Sequence, residues 1–275
     1  MADRLQVLRG KYRAYVDAYR EADGKLPDMM QLKLVHTMGV VAAAKRIARE
    51  EGFDPVAAVA AEAAALLHDT GRYEQLKRYN TFRDSDSVDH AVFSHDIVKE
   101  RGWLDDWPER DAILTAVLVH NRREIPSATM DELTLTCSRT VRDADKLDIF
   151  RVLEDQIANH DWRHDSRAFW NLATEAPPNP VVVNCIKEGK PVDYQDISCL
   201  SDFVLIQVGW MISGLEYETS RRMCAERGHL KFRREFMHQL TDSSVIDEIC
   251  DIADRVLSSP KSGDLWYNKR PNGRE

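Results

Sequence analysis

Nine histidines are spread through this 275-residue chain, and some of them stand beside or in step with aspartates. His36 lies inside one predicted helix. The adjacent pair His68-Asp69 closes the next, His90 opens a third, His120 closes a fourth and Asp145 lies inside a fifth. Nitrogen and carboxylate donors converging from several helices are how a helical core builds a metal site. Mixed imidazole and carboxylate suits Mn, Fe, Co, Ni or Zn rather than Ca. His68-Asp69 is the sharpest element of the pattern. Neighbours on a regular helix point about 100° apart, but at a helix end both side chains can turn to one ion. The two oxygens of the Asp69 carboxylate can also serve two ions.

These residues need helices to hold them, and helical signals dominate the chain. Leu5, Leu8, Tyr12, Tyr15, Val16 and Tyr19 recur at steps of three and four, which predicts a helix over 3–22. A second helix is expected from Asp28 to Glu51, stopped by Gly52. A third is expected from Asp54 as N-cap, with Pro55 at the first helical position, to His68-Asp69 and a terminating Gly71. Residues 70–86 read as a polar loop. Ser87 should cap a helix over 88–101, Pro108 should open one that reaches His120, and Thr129 with Glu132 has capping-box spacing for a long helix through Gln156. The prolines and glycine of 174–196 read as a connector, and helical periodicity resumes over 200–227 and 230–258. The class expected is all-α.

Composition narrows the function. With 43% hydrophobic and 31% charged residues, the chain has the balance of a soluble globular protein. A formal net charge of −8 speaks against a long nucleic acid as substrate or partner, because its backbone demands many cationic contacts. No apolar segment approaches the about 20 residues of a membrane span, and no signal-peptide pattern opens the chain. The five cysteines are dispersed, without a CxxC, as expected of reduced thiols in a cytoplasmic protein. Cys137 and Cys250 read as small core residues.

The string Leu66-Leu67-His68-Asp69-Thr70-Gly71-Arg72 resembles the signature of the HD-domain superfamily of metal-dependent phosphohydrolases. The order of the rest is similar too: His36 upstream, then His90 in Asp-His-Ala-Val-Phe-Ser, His120, and Ala144-Asp145-Lys146-Leu147-Asp148. The later stretches 186–190 and 207–210 resemble the C-terminal part of an uncharacterised HD hydrolase subgroup. The resemblance implies an HD-domain helical bundle over 28–156 that binds metal. An N-terminal helix (1–27) would pack on it, with a C-terminal helical extension of the same domain (157–258) and a polar tail (259–275). It implies His36, His68, Asp69 and Asp145 as a one-metal set, with His90 and His120 added in two-metal members and Asp69 as the bridge. His95 is the alternative to His90, but five residues apart on one helix the two point roughly 140° apart. Asn121 follows His120 where cyclic-dinucleotide phosphodiesterases of the superfamily carry a second histidine, so that activity is disfavoured.

The chemistry implied is hydrolysis of a phosphomonoester or phosphodiester of a small molecule, a nucleotide first, by water whose pKa one or two divalent transition ions lower toward about 7. Asp69, Arg72 and Lys146 are the catalytic candidates, the two cations as holders of substrate phosphate. Arg72 could instead pair with Asp84 or Asp86, and Lys146 could face solvent or pair with Asp143. Asp148 could hydrogen-bond a ligating histidine. Arg122 and Arg123 could rim the pocket or serve solubility. The segment 72–89 joins two ligand-bearing helices and is rich in cations and rings. Trp210 and Tyr217, seven apart, read as core packing. Two rival classes share the ligand set: a di-iron HD-fold oxygenase and a non-catalytic nucleotide sensor. The partner expected is a small phosphorylated substrate, with no membrane and no long nucleic acid; a homo-oligomer is compatible with the sequence.

Overall fold

A computed structural model describes residues 2–164 and 172–259. Residues 260–275 of the expected polar tail, and 165–171 of the expected extension, lie outside the described residues. Among those described, every regular element is helical, and the one β feature is an isolated bridge between Ala173 and Cys199. The all-α expectation holds. No described helix is long and apolar enough to cross a membrane. The chain forms two compact units, Met1–Asn159 and His160–Glu275.

The first unit is built on α2 (Asp28–Glu50), α3 (Pro55–Leu67), α6 (Arg110–Val119) and α7 (Glu132–Asn159), which pack on one another. α3 is the inner helix. Asp54 caps it by accepting from Val56 N and Ala57 N at 2.7 and 3.0 Å, and Pro55 supplies a preset first turn. Its alanines 60, 61, 63, 64 and 65 are fully buried, so neighbouring backbones come close on several sides. α1 (Ala2–Asp17) lies against α3 and pairs Arg9 with Glu62, and its Leu8, Tyr12 and Val16 are buried. α1 stops at Asp17, short of the expected residue 22.

The polar stretch after Asp69 is not a loop. Gly71–Tyr79 forms a helix, α4, paired with α5 (His90–Glu100). Gly71 opens this helix instead of ending the previous one. A Cβ there would stand 2.7 Å from Ser94 N and 3.0 Å from His90 O, so the glycine is required by the approach of α5. Gly71 N donates to Ser94 Oγ at 2.8 Å across the same contact. Two caps also differ from expectation. Asp89, rather than Ser87, caps α5 through Ala91 N and Val92 N. Asp131, rather than Thr129, accepts from Thr134 N at 2.7 Å at the start of α7.

In the second unit the expected connector contains α8 (Pro180–Lys187), capped by Asn179. α9 (Leu200–Gly209), α10 (Glu218–Glu226), α11 (His229–Leu240) and α12 (Ser244–Ser258) enclose Leu200, Val204, Leu205, Val208, Met223, Met237, Ile246 and Ile249. A π-helical turn over Trp210–Gly214 breaks the run after α9. Trp210 and Tyr217 therefore do not share one helix face. Cys137 and Cys250 are fully buried free thiols in their respective units.

Candidate metal centre

Four imidazoles are turned the same way by four different acceptors. His36 Nδ1 lies 2.7 Å from Asp148 Oδ2 on α7. His68 Nδ1 lies 2.8 Å from Ala65 O, and His120 Nδ1 lies 2.7 Å from Val117 O. His90 Nδ1 meets Asp84 Oδ2, from a short 3-10 turn at Asp84–Asp86. An acceptor at Nδ1 fixes the proton there and leaves Nε2 as a lone pair. His68 and His120 stand one residue past the ends of α3 and α6, so each can fold back on a carbonyl of its own last turn. Arg142 on α7 donates to Arg123 O at 3.1 Å and lies against Arg122 O, which ties down the chain just after His120.

All four Nε2 atoms face Asp69. Its Oδ2 lies 3.7 Å from His36 Nε2 and 3.6 Å from His68 Nε2. Its Oδ1 lies 3.7 Å from His90 Nε2 and 3.8 Å from His120 Nε2. Asp145 Oδ1 joins the first pair, 3.1 Å from His36 Nε2 and 3.8 Å from His68 Nε2. Two groups of donors thus meet at one carboxylate: His36, His68 and Asp69 in one, and Asp69, His90 and His120 in the other. Either could hold an ion. His95 lies outside both, on the outer side of α5, where its Nδ1 is 2.8 Å from Asp96.

A divalent ion suits this donor set. His68 Nε2 is fully buried and has no hydrogen-bond partner, a costly state for a polar atom unless something else satisfies it. Burial lowers the pKa of His68, and drives His90 and His120 down to about 4. These rings are therefore neutral near pH 7, the form that ligates. For His36, burial and Lys33 act downward, but hydrogen bonds to Asp145 and Asp148 prevail and its pKa is raised. Burial alone would raise Asp69, yet Lys33, His68, Arg72 and His90 hold it well below the usual carboxylate range. Burial likewise works against ionised Asp145, but His36, His68 and His120 together hold it well below the usual carboxylate range.

Gly39 makes the Asp148 contact possible. A Cβ at that position would lie 2.0 Å from Asp148 Oδ1. Arg151 holds the same carboxylate from its other side at 2.8 and 2.9 Å.

Of the candidate substrate-holding cations, Arg72 sits against Asp69, its Nε 3.4 Å from Oδ1. Its Nη1 donates to Gln75 Oε1, Phe82 O and Asp84 Oδ1 at 2.7 to 3.0 Å, while Nε has no hydrogen-bond partner. The pairing with Asp84 and the place beside the donors coexist. Lys146 follows Asp145 on α7 and is half-buried. Arg122 pairs with Asp89 at 3.3 Å. Sequence reasoning missed Lys33, whose Nζ is 2.7 Å from Asp69 Oδ2. One turn before His36 on α2, it looks like any solvated lysine. Asp84, expected as a partner for Arg72, also orients His90. Lys33 and Asp145 keep 19% and 18% of their side chains exposed, against 0% for His68 and 4% for Asp69.

The helices turn imidazoles and carboxylates onto one buried aspartate, a cluster that could hold a metal ion. Residues 34–149 match the family described as HD domain, which is consistent with the HD-domain superfamily. HD domains bind divalent metals and are mostly metal-dependent hydrolases. No curated protein and no solved structure matches the chain.

Proposed function

We propose that this protein hydrolyses a phosphomonoester or phosphodiester of a small molecule, with a nucleotide as the first substrate to test. One observation carries the reading: four histidine Nε2 atoms and the Asp145 carboxylate surround the two oxygens of Asp69, with two cations at the edge. His36, His68, Asp69 and Asp145 would hold one divalent ion, and Asp69, His90 and His120 a second. Such ions supply acidified water as nucleophile and positive charge for the transition state.

The remaining work falls to the chain's own residues. Asp69 keeps the two groups at a fixed separation and stays ionised because Lys33 and Arg72 flank it. Arg72, tied down through Nη1, has an Nε without a hydrogen bond beside Asp69 and can donate it to a substrate oxygen. Lys33 stands at the solvent-facing side and can leave Asp69 for an incoming anion. Lys146, beside Asp145, is a further candidate for the substrate's charge. The Phe82 ring lies 5.5 and 5.6 Å from the Lys33 and Arg72 cations and helps hold both beside Asp69.

The test is a phosphate-release screen over nucleoside mono-, di- and triphosphates with Mn, Co, Ni, Fe or Zn. Release that depends on metal and is lost in Asp69→Ala supports the proposal. Oxygen uptake by iron-loaded protein with no phosphate release would sink it in favour of the oxygenase. Tight nucleotide binding without turnover under every metal would do so in favour of the sensor.

A further inference from the structure

A cavity of about 440 Å³ opens on the first unit away from the metal-binding residues, none of which lines it. Its walls come from α1, α4 and the turn after α5. Three cations point into this space: Lys11, Lys77 and Arg101. No carboxylate lies within ion-pair distance of any of them among the described residues. In a chain of net charge −8, three cations without a close ion pair in one concavity are unusual.

They are also held in place. Arg101 stacks 4.9 Å above the Tyr15 ring and 5.9 Å from the Trp103 ring. Lys77 lies 5.5 Å over the Tyr19 ring, and Lys11 Nζ reaches Trp103 O at 3.4 Å. A guanidinium stacked on rings keeps its N–H edge free, so less side-chain freedom is lost when an anion binds. The one acidic lining residue, Glu74, is already occupied. Its Oε2 accepts from Tyr19 OH at 2.6 Å and its Oε1 from Arg78 Nε at 2.7 Å.

We infer that this cavity is a second ligand site, for a phosphate group, held by Lys11, Lys77 and Arg101. It does not depend on the reaction proposed at the metal centre. Free inorganic phosphate and the phosphate of a mononucleotide share the recognised chemistry, and the cavity volume admits either.

The experiment is calorimetric titration of the full-length protein, stripped of metal by chelator, with inorganic phosphate, AMP and adenosine. Phosphate and AMP should bind and adenosine should not, with affinity falling as salt rises. AMP tenfold tighter than phosphate would identify a nucleotide; equal affinities would identify the phosphate alone. Lys77→Gln/Arg101→Gln should weaken binding by tenfold or more, while Arg72→Gln should leave it unchanged. Lys11→Gln, which leaves both ring stacks intact, should weaken binding by a smaller factor and separates lost charge from lost packing. The inference fails if neither anion binds at millimolar concentration, if adenosine binds as well as AMP, if none of the three lining cations affects affinity, or if Arg72→Gln abolishes it.

Discussion

Asp69 is a buried carboxylate in contact with two cations and four imidazoles, and its value to the site lies in staying ionised. The imidazoles depend in turn on what holds their other nitrogens. Asp148→Ala removes the acceptor at His36 Nδ1 and leaves the ring free to rotate or change tautomer. Metal affinity should fall by about 10- to 100-fold, read by competition with a chromogenic chelator, while the helical circular dichroism persists. The neutral rings also set an acid limit. The metal-free fold keeps His90 and His120 unprotonated down to about 4, and lowers His68 as well, whereas the unfolded chain protonates them near 6.5. The unfolded state binds more protons in that window, so stability is lost as pH falls through it. His36, with its raised pKa, opposes this but is outnumbered. The thermal midpoint of chelator-treated protein should drop between about pH 6.5 and pH 4.5, and His90→Gln/His120→Gln should flatten that slope.

At the scale of elements, two glycines carry more of the site than their size suggests. Gly71→Ala places a carbon against backbone atoms of α5, so α4 and α5 must move apart. A loss of about 1–3 kcal/mol is expected, measured by denaturant unfolding. Ser94→Ala should not restore it, since the closest atom is Ser94 N. Here the limits of sequence reading are plain. The histidines and aspartates were legible because their order and spacing on successive helices repeat a pattern. α4 was not, because a polar segment beginning with glycine carries the marks of a helix stop and a loop, and only its packing on α5 reverses them. Ala65 and Val117 were illegible as ring holders, since every residue has a carbonyl. Lys33 was illegible because nothing local separates a lysine beside a buried carboxylate from one in water.

At the scale of the whole molecule, the six candidate ligands all belong to the unit Met1–Asn159, and each unit has its own buried apolar residues. Metal stabilises only what binds it. Adding the preferred ion should raise the calorimetric transition of the first unit by mass action and leave that of the second in place. A shift of both together would show one cooperative fold. The all-helical class was readable from periodicity over the full length, but α8 was hidden by its flanking prolines, one of which, Pro180, is the helix's own first residue.

The grip of Asp84 on His90 would give two ions held at this centre different lifetimes. His36 is steadied by a buried carboxylate on a long helix, and His68 by its own backbone. His90 is steadied by a residue with 32% of its side chain exposed, in a three-residue turn. Two ions bound here would not exchange at one rate. Against excess chelator, the ion shared by His90 and His120 should leave first, giving two kinetic phases, and Asp84→Ala should quicken the fast phase alone. The protein would then answer to metal supply in steps, one ion resident and the other a visitor.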